Sequence, residues 1–166
     1  MDKATFVATL LEQRAEWEAL LARFDVEEML LSGAAGTWSI KDVVAHVAWS
    51  EHEMVPVMRS HIFSGSQLWQ VSEDERNEVV YQQNEARSLQ EVLADEQKIY
   101  AQFLQAVQDL DEEDFHDPRR FQHMPADWVP WQIFAGCSYK HYEDHMPSLQ
   151  AWLIRRGDQP SRPSEA

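Results

Sequence analysis

The sequence predicts an all-α domain, a bundle of four long helices with one short extra helix. Three observations carry this reading. Apolar residues recur every three to four positions over long segments, as on amphipathic helices. Strand-like alternation is scarce, and the 166 residues contain only five glycines. Ser-x-x-acid signatures stand where several of the periodic segments begin.

The first helix is expected from about Lys3 to Phe24, with Val7, Leu10, Leu11, Trp17, Leu21 and Phe24 as its stripe. A loop carrying Gly33 and Gly36 follows. The second helix opens at Ser39, with Asp42 three positions on and Trp38 and Val43 placed as a hydrophobic staple. It runs to about Met58, and Pro56 removes one backbone bond near its end. Residues 60–71 read as a connection. Ser72 and Glu75 open a short helix to about Glu85, and Ser88 and Glu91 open the third long helix. Its stripe is Leu89, Val92, Leu93, Tyr100, Phe103, Leu104, Val107 and Leu110. Residues 111–127 read as a long loop. The last long helix is expected from Trp128 to Arg155, as one continuous element. The domain thus covers 1–156, and 157–166 read as a disordered tail, because Gly157, Pro160 and Pro163 oppose a helix.

Composition narrows the function classes. Acidic residues outnumber basic ones by 29 to 14, a formal charge of −15. Such a surface repels nucleic acid and anionic membranes, so neither is expected as a partner. No apolar run approaches the roughly 18 residues of a membrane span. The first residues lack a secretory pattern, and a cytoplasmic location is the expectation. Cys137 is the single cysteine, which excludes an intramolecular disulfide and a multi-cysteine zinc site.

Chemistry concentrates on the last helix. Its seam reads Trp131, Phe134, Ser138, His141, His145, Ser148, Trp152, aromatic at the ends and polar in the middle. Buried polar groups need partners, so something in the core should satisfy them. His141 and His145 stand one turn apart on one face, where two imidazoles can share one metal ion. A third ligand is required. His46 on the second helix, beside the face of Val43, Val47 and Ser50, is the first candidate, and Glu51 the second. A His-x3-His pair also arises by chance, and the histidines could simply satisfy each other in a core. His52 and His61 read as surface residues, and His116 and His123 lie in the long loop. Tyr139 and Tyr142 flank the histidine face as hydrogen-bond donors or as packing. Asn77 and Asn84, seven apart on the short helix, could line a pocket mouth or stand exposed. Trp128 and Trp131 read as a plug at the bundle end. Cys137 reads as a small buried apolar residue.

The stretch from Gly36 to Glu51, Gly-Thr-Trp-Ser-Ile-Lys-Asp-Val-Val-Ala-His-Val-Ala-Trp-Ser-Glu, resembles the second-helix signature of DinB-like proteins, and especially of the ClbS/DfsB branch. Arg87 to Leu93 resembles the start of that branch's third helix, and Ser138 to His145 its last-helix motif. The resemblance implies a four-helix bundle of the DinB/YfiT type in up-down-down-up order, often a homodimer. It implies three metal-holding histidines at the positions of His46, His141 and His145. Metal-bearing relatives include transferases that use low-molecular-weight thiols. ClbS-like members are associated with resistance to a DNA-damaging genotoxin, by acting on its reactive cyclopropane.

The expected function is modification or detoxification of a small molecule in a histidine-lined pocket between the second and last long helices. Hydrolysis of a reactive electrophile and metal-dependent thiol transfer are both open, with Zn, Ni or Fe as the ion. In this reading His46, His141 and His145 are ligands, and an open position takes a water or thiol. Glu51 is the proton acceptor, Tyr142 a catalytic donor, and Ser50, Ser138 and Asn84 line the pocket. The rival expectation is a non-catalytic protein that sequesters its ligand.

Overall fold

Side-chain caps decide where most helices begin. A computed structural model describes residues 1–157 of the protein. The described residues form seven α-helices: α1 (Lys3–Leu21), α2 (Val26–Leu30), α3 (Ile40–Ser60), α4 (Glu73–Glu85), α5 (Leu89–Asp109), α6 (Pro130–Gly136) and α7 (Tyr139–Gly157). Ser39, Ser72 and Ser88 each close a reciprocal capping box with the acid three residues on. Residues 158–166, most of the expected tail, lie outside the described residues.

Two expectations need correction. The segment after α1 is more than a loop, because Asp25 and Glu28 form a further capping box that starts α2. The last long helix is also not continuous. Val129, placed before a proline, is extended, so the helix starts at Pro130 instead of Trp128. It then breaks at Cys137 and Ser138. Gly136 weakens the helix there, and the Ser138 hydroxyl donates to the Phe134 carbonyl at 2.7 Å. α7 restarts with the Tyr142 amide bonded to the Ser138 carbonyl. Residues 111–127 contain two 3-10 turns, Glu112–Phe115 and Pro118–Arg120.

The four long helices close a ring: α1 lies along α7, α7 meets α3, α3 lies along α5, and α5 meets α1. Phe6, Leu10, Trp17, Val43, Val47, Phe103, Val107, Phe134 and Leu149 fill the space between them. The short α4 packs on α3 and does not join the ring. Among the described residues no helix is long and apolar enough to cross a membrane.

A charged cluster interrupts this apolar interior. Arg14 of α1 and Glu96 of α5 are 4% and 2% exposed and form a two-pronged ion pair. The Trp17 indole donates to the same carboxylate at 3.3 Å, and the Arg14 guanidinium lies 4.2 Å from the Tyr100 ring centroid. Beside it, the Trp17 ring stacks on Tyr142, with centroids 5.4 Å apart. The interior is therefore polar along a line joining α1, α5 and α7.

Candidate metal centre

His46 lies on α3, and His141 and His145 lie on α7. The α3–α7 contact brings the three together, so that one ligand atom of each lies within 4.8 Å of the others. Nε2 of His46 and Nε2 of His141 are 2.9 Å apart. The His145 ring centroid stands 5.3 Å from that of His46 and 4.9 Å from that of His141. Trp38 braces His46 with its ring, centroid to centroid 5.2 Å, and Tyr81 stacks on Trp38. The residue read as a staple thus also orients a site histidine.

Burial holds these imidazoles neutral. It pushes His46 down to about 4 and His141 down to about 3, with neighbouring histidines and Arg76 acting in the same direction. His145 is lowered too, again by burial, while Asp144 opposes the shift. Neutral rings keep lone pairs available for a cation. Nδ1 of His46 and Nδ1 of His141 are buried without a partner. The single Nε2–Nε2 contact cannot satisfy this group of nitrogens. Nitrogens bound to one tetrahedral ion at roughly 2.0–2.1 Å would stand about 3.3 Å apart, which the 2.9 Å between His46 and His141 and the 4.8 Å limit on all three approach. The donor set therefore fits a divalent metal.

The centre borders a cavity of about 790 Å³. His46 and His141 line it, as do Ser50 and Met54 at helical spacing from His46. Its other walls come from the α3–α4 connection, from α4 through Glu73, Arg76 and Asn77, and from Trp128, Ile133 and Cys137. Asp144 of α7 also lines it. Cys137 stays a buried thiol, pushed up to about 12 by desolvation.

The remaining site candidates stand elsewhere. Glu51 is 0% exposed and faces the bundle core, where the Tyr142 hydroxyl donates to it. Neither residue is among those lining the cavity. Burial pushes the Glu51 carboxyl up to about 8, so it carries a proton at neutral pH. Ser138 is fully buried and serves the helix break. Asn84 lines a separate hollow of about 270 Å³, and its amide donates to the Val80 carbonyl. His61 is partly exposed, stacks on Phe121 and pairs with Asp114 at 3.2 Å.

One wall of the cavity depends on a glycine. Trp69, in the 3-10 turn Gln67–Gln70, packs on Trp49 at 5.3 Å and donates its indole N–H to Glu53 at 3.0 Å. A Cβ on Gly65 would overlap the edge of the Trp69 ring. Gly65→Ala should displace the indole and cost about 1–3 kcal/mol, as overpacking does. Faster hydrogen exchange at the Trp69 indole N–H would register the displacement, and an unchanged rate would contradict it.

The fold and site are thus a helical bundle with three convergent, neutral imidazoles beside a sizeable cavity, a donor set able to hold a metal ion. The model of the DinB superfamily matches residues 9–147. The chain belongs to that superfamily, whose members often bind metal. It is similar to an uncharacterised protein from Escherichia coli UTI89 seen in a crystal structure. That likeness covers 96% of both chains at a TM-score of 0.74 and 13% identity, and it concerns the fold. No curated protein matches the chain.

Proposed function

We propose that this protein modifies and detoxifies a small reactive molecule at a divalent metal held by His46, His141 and His145. The convergence of three neutral imidazoles, one buried and two partly buried, at the edge of a 790 Å³ cavity carries the reading. Bound there, a Zn, Ni or Fe ion would supply Lewis acidity and lower the pKa of a thiol or water. The α3 and α7 motifs support a place near the ClbS/DfsB branch, and hence hydrolysis of an electrophile or thiol transfer to it.

The chain's own residues divide the remaining work. Trp38 fixes the His46 ring. Ser50 adds a polar residue to the cavity lining, and Met54, Ile133 and Trp128 give the ligand an apolar bed. Asp144, one of the two carboxylates lining the cavity and a neighbour of His145 in sequence, is the candidate proton acceptor. Glu51 and Tyr142 stand one layer behind, and support His141 by fixing the α7 residue beside it.

Metal titration of protein purified without a polyhistidine tag tests this proposal. About one divalent ion per chain is expected. A ligand at a hundredfold its dissociation constant should raise stability by about 2.7 kcal/mol. Failure to take up Zn, Ni or Fe would overturn the metal reading.

A further inference from the structure

Arg76 is the one lysine or arginine among the residues that line the cavity. It belongs to the first turn of α4, whose residues Glu73, Arg76 and Asn77 share one face by helical spacing and line the cavity. Its guanidinium rests 5.0 Å from the Trp69 ring centroid, and Trp69 is itself held by Trp49 and Glu53. Arg76 is half-buried, yet no carboxylate among the described residues comes within ion-pair distance of it. Arg14, the buried arginine of α1, is by contrast paired with Glu96. One residue on, Asn77 Oδ1 is buried with no donor.

A half-buried, unpaired guanidinium resting on an indole ring is a two-pronged donor for a planar anion. Its charge lies close enough to the metal centre to bear on His46 and His141. Glu73 and Asp144 line the same space, which disfavours a ligand with two negative charges. Trp69, Phe63 and Trp128 supply aromatic walls, the last two meeting edge to face at 5.4 Å. We propose that the cavity selects a monoanionic organic ligand, with a carboxylate on Arg76, a hydrogen-bond donor toward Asn77 and a flat apolar body between the aromatic walls. This places the body beside His46 and His141, and so rests on the metal-centre reading only for the reaction, not for binding. The preference is notable because a chain of charge −15 repels anions in general.

Calorimetric titration with 2-naphthoate and its neutral isostere 2-acetylnaphthalene tests the assignment, with and without zinc. In the wild type, naphthoate should bind tighter than the ketone by about tenfold or more, with or without zinc. Arg76→Met should reverse the order, because the protein's field then opposes the anion, while zinc uptake stays at the wild-type level. Arg76→Lys keeps the charge without the fork and should retain part of the preference. Circular dichroism of each variant separates these results from misfolding, and the lysine variant decides the matter if the methionine variant does not fold. Equal binding of the two probes, no binding of either, or a preference that survives Arg76→Met would overturn the proposal. A preference present only with zinc and abolished by His141→Ala would assign the carboxylate to the metal and overturn it as well. If zinc does not bind at all but the Arg76-dependent preference persists, this inference stands and the metal reading falls.

Discussion

His141→Ala should leave the purified protein without its metal while its helical content stays at the wild-type level. His141 lies at the centre of the cluster. Its Nε2 is 2.9 Å from that of His46, and its ring centroid is 4.9 Å from that of His145. Two imidazoles remain after the substitution, and they cannot build a closed site alone. Loss of residues that merely orient ligands costs about 10–100-fold in affinity, so loss of a ligand should exceed 100-fold. His46→Ala should behave alike, and His123→Ala, in the α5–α6 connection and outside the three-histidine cluster, should bind metal like the wild type. Elemental analysis together with competition against a chromophoric chelator reads the effect. Wild-type affinity in His141→Ala would sink the three-histidine site, and lost helicity would show that the ring is structural.

The second large effect concerns pH. Glu51 is fully buried between α3 and α7, and burial is the main cause that pushes its carboxyl up from 4.5 to about 8. The Tyr142 hydroxyl and the Arg14 guanidinium on α1 oppose the shift, and the Glu96 carboxylate on α5 adds to it. Below about pH 4.5 the folded and unfolded chains both hold the Glu51 proton, and its contribution to stability is fully present. Between 4.5 and 8 the unfolded chain releases that proton and the folded chain keeps it. Stability is therefore lost as pH rises through this window. Glu51→Gln cannot titrate, and its carbonyl still accepts from Tyr142. The variant should gain on the wild type from pH 5 to pH 8 by roughly 4 kcal/mol, because each step of one pH in this window costs the wild type about 1.36 kcal/mol. Urea denaturation of both proteins across that range isolates the carboxyl, because the histidines are common to both. A difference that stays flat would mean that Glu51 ionises like an exposed acid.

These two results would also separate the roles of the polar residues. Metal affinity should follow the cavity-side histidines. Stability should follow the polar line formed by Arg14, Trp17, Glu51, Glu96 and Tyr142. Removing one partner of the Arg14–Glu96 pair leaves a buried charge uncompensated, whereas the Glu51 change removes a group that is already neutral at physiological pH.

Local chemistry made much of this protein legible in advance. Helix starts at Ser39, Ser72 and Ser88 follow from the serine and the acid three positions on, since both sides of the box lie within one turn. The same signature at Asp25 and Glu28 was available and marks α2. The break at Ser138 had a local cause too, Gly136 beside a serine able to bond back to Phe134, but the heptad spacing that runs on from Trp131 to Trp152 masked it. The closeness of His141 and His145 follows from their spacing of four. Arg14 and Glu96 each interrupt an apolar stripe, between Leu10 and Trp17 and between Val92 and Tyr100. That interruption was the signal for a buried ion pair.

Tertiary structure alone decided which partner each side chain met. His46 and Glu51 are five residues apart on α3, so they point to different faces. Only the packing of α7 shows that one reaches the cavity and the other the core. Arg76 gave no sign in the sequence, because its position over Trp69 depends on α4 lying against α3. The capping boxes and helical periods of this chain are set by residues within one turn of each other, and could be read from order along the chain. The cavity, the orphaned nitrogens and the unpaired guanidinium arise where distant helices meet, and they exist only once the bundle has closed.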